Sequence, residues 1–130
     1  MQISHLDHFV LTVRDLKKTC EFYRLVLGME IVTFGEGRKA LKFGRQKINL
    51  HQIDGHFEPI AANSIPGSSD FCLIATTPLN EVIERCEKYG VEIVLGIVER
   101  TGANGKINSI YIRDPDNNLI EIANQIAIPS

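Results

Sequence analysis

Two imidazoles and two carboxylates stand on short apolar stretches of this 130-residue chain. His8 lies in Leu6-Asp7-His8-Phe9-Val10-Leu11, and His51 follows Ile48-Asn49-Leu50. Asp70 opens Asp70-Phe71-Cys72-Leu73-Ile74, and Glu121 lies between Ile120 and Ile122. Neutral imidazole nitrogens and carboxylate oxygens suit a borderline divalent cation such as Zn, Ni, Co, Mn or Fe. The same groups can move protons. A carboxylate on an apolar strand is costly unless something compensates its charge. Convergence of the four on one cation would supply that compensation. His5 and His56 have no counterparts of this kind and read as surface groups.

The four side chains fall into two couples because the chain repeats itself. A shift of 62 carries His8 onto Asp70, Phe9 onto Phe71, Leu11 onto Leu73, Gly28 onto Gly90, Ile31 onto Ile93 and Val32 onto Val94. A later shift of 70 carries Leu50 onto Ile120 and His51 onto Glu121, with the extra 8 residues assigned to the Glu99–Gly105 region. Self-similarity at a fixed offset means duplicated structural units, and this period suits two copies of a small α+β module.

Each module reads as βαβββ. Residues 6–13 alternate as a strand, with Phe9, Leu11 and Val13 on one face and His8, Val10 and Thr12 on the other. Asp15 is placed to cap a helix carrying Leu16, Cys20, Tyr23 and Leu27, which Gly28 stops. Strands follow at 29–34, 39–43 and 47–52. The second module reads as a strand at 69–75, a helix at 79–89 ended by Gly90, a strand at 91–95, a long glycine-rich loop, and strands at 108–113 and 119–123. The turn Asp114-Pro115-Asp116-Asn117-Asn118 joins the last two. The modules span about residues 5–53 and 68–125 of a single domain, with a linker at about 54–67 and a loosely held tail after Asn124. Alternation puts His8, His51, Asp70 and Glu121 on the sheet faces away from the helices. If the modules pair with two-fold symmetry, their strands form one curved eight-stranded sheet around a cleft.

Composition fits this picture. Apolar residues make up 44% and charged residues 23%, as in ordinary globular proteins. The net charge of −2 and the lack of a basic block argue against nucleic acid as a partner. No apolar run approaches a membrane span, and the first residues lack a signal-peptide pattern. Cys20, Cys72 and Cys86 are odd in number and lack zinc-finger spacing, so they read as reduced thiols of a cytoplasmic protein.

The stretches Leu6-Asp7-His8-Phe9-Val10-Leu11, Phe22-Tyr23-Arg24-Leu25-Val26-Leu27-Gly28-Met29 and Asp114-Pro115-Asp116-Asn117-Asn118-Leu119-Ile120-Glu121 resemble those of the vicinal oxygen chelate (VOC) superfamily. That superfamily includes glyoxalase I, fosfomycin and bleomycin resistance proteins, and extradiol dioxygenases. The segments at Arg38–Leu41 and Arg100–Ala103 are similar to small glyoxalase-domain proteins, some named for virulence.

The resemblance implies a metal-dependent enzyme that stabilises an enediolate-like anion of a small oxygenated substrate, such as the hemithioacetal of a 2-oxoaldehyde. His8 and Glu121 match family metal ligands. His51 stands where glyoxalase I has a glutamate that is both ligand and base, and Asp70 stands where a histidine is usual. Asp70 would then either bind the metal or orient His8 or His51. Glu121 or His51 would move the proton, and Arg38, Lys39, Arg100 and Phe57 are candidates to hold the substrate. The alternatives are a non-catalytic protein that sequesters a small molecule, and a ring-cleaving Fe(II) oxygenase. The expected assembly is a homodimer.

Overall fold

The computed structural model describes residues 1–126. The chain divides into two compact units, one from Met1 to Ser68 and one starting at Ser69. The first unit contains β1 (His8–Val13), α1 (Leu16–Leu25), β2 (Glu30–Phe34), β3 (Arg38–Phe43) and β4 (Gln46–Gln52). The second contains β5 (Asp70–Ile74), α2 (Leu79–Lys88), β6 (Leu95–Gly102), β7 (Gly105–Arg113) and β8 (Leu119–Gln125). The architecture is α+β, and the strands form two four-stranded sheets, ordered β1-β4-β3-β2 and β5-β8-β7-β6. Each sheet is mixed: its first and last strands pair in parallel, and its other pairings are antiparallel.

Local chemistry sets the first unit. Asp15 accepts from the Lys18 amide and caps α1. At the other end Gly28, at φ +68, lets its own amide reach the Arg24 carbonyl and the Met29 amide reach the Tyr23 carbonyl. This paired closure satisfies carbonyls that the helix end would otherwise leave open. The buried face of α1 carries Thr19, Cys20 and Tyr23, and the sheet contributes Leu11, Val13, Leu41, Ile48 and Leu50 to the core.

The second unit departs from expectation in three places. Residues 91–94 form no strand; β6 begins at Leu95 and runs through Arg100 to Gly102. The expected long loop shrinks to the turn at Ala103-Asn104, and a register irregularity lies between Gly96 and Val98. Gly96, at φ +144, makes the close approach possible, because a Cβ there would lie 2.7 Å from the Ile110 side chain. The start of the tail is tied in: Gln125 donates to the carbonyls of Asn104 and Lys106, and the Ile126 amide donates to the Lys106 carbonyl, while the rest of the expected loose tail, 127–130, lies outside the described residues.

The turn between β7 and β8 is built on one carboxylate. Asp114 Oδ1 accepts from the amides of Asp116 and Asn118 at 2.9 and 3.0 Å, and Oδ2 accepts from Asn118 Nδ2 at 2.8 Å. Asn118 Oδ1 in turn accepts from the Ser69 amide, where β5 begins. Asn117 takes φ 65, a conformation that asparagine tolerates better than most residues. The motif therefore sets the start of β8 relative to β5, three residues before Glu121. Hydrogen bonds to a buried charge are each worth about 1.5–3 kcal/mol. Asp114→Ala should lower the free energy of unfolding by about 3 kcal/mol, read by urea denaturation.

Candidate functional site

In the first unit, β4 turns Ile48, Leu50 and Gln52 toward α1 and Lys47, Asn49 and His51 to the opposite face. His51 is 8% exposed. Its Nε2 accepts from an Arg38 guanidinium nitrogen at 3.1 Å, which leaves the ring proton on Nδ1. Burial, then the Arg38 charge, hold its pKa below the ordinary histidine value. Phe57, from the irregular segment after β4, lies flat on the imidazole, with centroids 3.9 Å apart and planes 5° apart. The Arg38 guanidinium lies over Phe34 at 4.9 Å and Phe57 at 5.8 Å, and Lys47 Nζ sits 3.9 Å from the Phe34 centroid. Among the described residues no carboxylate forms an ion pair with Arg38 or Lys47. The result is a cationic patch on aromatic rings.

In the second unit, Glu121 shares its level with Cys72 on one side and Tyr111 on the other. Buried Ser109 donates to Glu121 Oε2 at 2.6 Å. Arg100 donates to the Tyr111 hydroxyl at 3.1 Å. The Cys72 thiol is pushed up to about 11, first by burial and then by the Glu121 charge and hydrogen bond. Asp70 is exposed on the same face, paired with Leu119.

Strand register corrects the expected couple in the first unit. His8 pairs with Lys47, and Thr12 pairs with His51. His8 and His51 therefore share a face but lie four residues apart along the strands, about 13 Å, so they do not converge. In the second unit Asp70 pairs with Leu119, and Glu121 lies two residues further on. The same step from the His8–Lys47 pair lands on Asn49. The helix ties confirm this offset: Gln52 Oε1 accepts from the Leu16 amide, and Asn124 Oδ1 accepts from the Leu79 amide. These two residues do the same job and are 72 apart, as are Asn49 and Glu121. The counterpart of Glu121 is thus Asn49, not His51.

Two other expected residues move. Lys39 lies on the helix-facing side of β3, where it donates to Thr33 Oγ1, so it does not join Arg38. His8 is oriented by its own neighbour, with Nδ1 2.8 Å from Asp7 Oδ1; that bond, before any other attraction, lowers the Asp7 pKa. Lys47, Asn49, Cys72, Ser109 and Tyr111 were not singled out from sequence. Alternation counted from His51 marks Asn49 and Lys47, and counted from Asp70 it marks Cys72; Tyr111 and Ser109 follow only from the pairing of β7 with β8.

Residues 5–122 match the family model for the Glyoxalase/Bleomycin resistance protein/Dioxygenase superfamily. The chain belongs to that superfamily. Virulence protein STM3117 of Salmonella typhimurium is 56% identical over 97% of this chain and 88% of its own length. Its crystal structure covers 97% of this chain and 100% of that one, with a TM-score of 0.94. Glyoxalase domain-containing protein RDO1 of Mycosarcoma maydis is 50% identical over 95% of this chain and 69% of its own. Fosfomycin resistance protein FosX of Listeria monocytogenes is 32% identical over 92% and 89%. An integron cassette protein from V. cholerae is 55% identical, with a TM-score of 0.95 over 97% of this chain and 98% of that one.

VOC proteins typically use a divalent metal, so the donor set can be tested against one. In the first unit the His51 lone pair is taken by a guanidinium, and the position equivalent to Glu121 holds neutral Asn49. In the second unit Cys72 holds its proton. Among the described residues of either unit, no three His, Cys, Asp or Glu side chains are grouped to hold a cation. The expected set takes His8 and His51 from the first unit and Asp70 and Glu121 from the second, and neither unit supplies a complete set by itself. Among the described residues no helix is long and apolar enough to cross a membrane.

Two outcomes follow. Cys72 is exposed, yet at neutral pH it should react with a maleimide roughly a hundredfold more slowly than an unperturbed thiol, because the thiolate is the nucleophile. Glu121→Gln should speed that reaction. For His51 the folded pKa lies below the unfolded one, so the unfolded chain binds more protons between the two. His51 therefore favours folding above about pH 6.5, the unfolded value, and this contribution is lost as pH falls toward the folded value. A melting-temperature series from pH 7.5 to 5 should show the loss, and His51→Gln should flatten it.

Proposed function

We propose that this VOC protein binds a small oxygenated molecule carrying an anionic group, received by Arg38. The observation that carries this reading is the Arg38 guanidinium itself: it has no carboxylate partner among the described residues, lies over two aromatic rings, and is hydrogen-bonded to a neutral His51. A planar guanidinium presents paired donors that match a carboxylate or phosphonate. Lys47 adds positive charge on the same face, and Phe57 and Phe34 supply apolar cover. The 32% identity to a fosfomycin resistance protein agrees with a small oxygen-rich ligand.

A second reading, lyase or isomerase chemistry, is favoured by Glu121. Ser109 holds one of its oxygens on a fixed strand, so the other can face a substrate C–H next to a carbonyl. In this reading Glu121 itself takes the proton, and no step is drawn through a cation. We further propose the homodimeric assembly common among VOC proteins, readable by sedimentation.

Isothermal titration with butanoate tests the first reading. Arg38→Met should weaken binding at least about tenfold, the worth of a charge-assisted hydrogen bond. Unchanged affinity would rule Arg38 out as the anion seat. The second reading is tested with the hemithioacetal of methylglyoxal and glutathione. Glu121→Gln should cut kcat at least about a hundredfold with little change in KM. Equal turnover by both proteins, or none by the parent, would remove it.

A further inference from the structure

Asn49 is only 6% exposed, and its side-chain oxygen Oδ1 is buried with no hydrogen-bond partner. Buried polar groups are almost always satisfied, and an exception calls for an explanation. The strand offers none: the backbone of β4 is paired on both sides, to β1 and to β3, and Val10 and Ala40, level with Asn49, present only methyl groups. A leucine would fill such a place without leaving an amide unmatched. Lys47 and His51 stand two residues to either side on the same face, and Arg38 is bonded to His51.

We propose that Asn49 is a specificity residue whose Oδ1 accepts a hydrogen bond from a hydroxyl of the ligand. The inference rests on the anion reading of Arg38 and narrows it to a hydroxy acid. The carboxylate pairs with Arg38, and the hydroxyl donates to Asn49. Adjacent same-face positions on a strand are separated by about 7 Å, a span that a carboxylate and a hydroxyl on a three- to five-carbon chain can bridge with the long arginine arm. A neutral amide suits this task better than the carboxylate found at the equivalent Glu121, because it accepts the hydroxyl proton without repelling the anion beside it.

Isothermal titration with two matched acids, 3-hydroxybutanoate and butanoate, tests the assignment. The parent protein should bind the hydroxy acid about tenfold more tightly, the usual worth of satisfying a buried acceptor. Asn49→Leu should bind the two acids equally, because the acceptor for the hydroxyl is gone. It should also melt at a higher temperature, because the unmatched amide is gone. If the leucine variant does not fold, Asn49→Ala carries the same comparison of acids. Equal binding of both acids by the parent, or a preference that survives the substitution, overturns the Asn49 proposal while leaving the anion reading standing. Failure of the parent to bind either acid overturns both.

Discussion

In each unit the first strand must enter the sheet parallel to the last, and a parallel pairing needs a crossover, which the helix supplies. Both chemistries described above hang on that pairing. It sets β1 against β4 and β5 against β8 with a fixed register, and register decides which side chains share a face and a level. A slip of one residue would bury Lys47, Asn49 and His51 against α1 and turn Ile48 and Leu50 outward. The apolar face prevents the slip, since Leu11, Val13, Ile48 and Leu50 are all nearly inaccessible. Hydrophobic burial in one direction thus fixes polar chemistry in the other.

Much of the fold could be read from residue pattern alone. Alternation and the Asp15 and Gly28 signals located the first five elements to within one or two residues. The second half was harder. Gly96, Gly102 and Gly105 signal a loop by composition, yet at least Gly96 is there because β6 presses on Ile110. A strand that uses glycine for close approach looks like a loop until its neighbour is known.

The site was legible in part. His51, Arg38 and Phe57 do come together, and Glu121 lies on the face expected of it. The repeat offset was the weak link. Matching one ionisable side chain to another gives 70, and it pairs His51 with Glu121. Matching the apolar pair that brackets each residue, Ile48 and Leu50 against Ile120 and Ile122, gives 72 and pairs Asn49 with Glu121. The second choice is the physical one, because the core sets strand register and the polar positions follow. The two sheets differ in charge: one presents arginine, lysine and neutral imidazole, the other carboxylates and a protonated thiol, with Arg100 bonded to the tyrosine beside Glu121.

Gln52 and Asn124 each give a side-chain oxygen to the first amide of the helix in their own unit. Helix ends ordinarily fray, and their leading amides exchange with solvent deuterium almost freely. Here those protons at Leu16 and Leu79 are held by the last strand, in chain order, of each sheet. Their exchange therefore reports on departure of β4 or β8 rather than on the helix itself, and each helix should lose protection together with its sheet as one cooperative block.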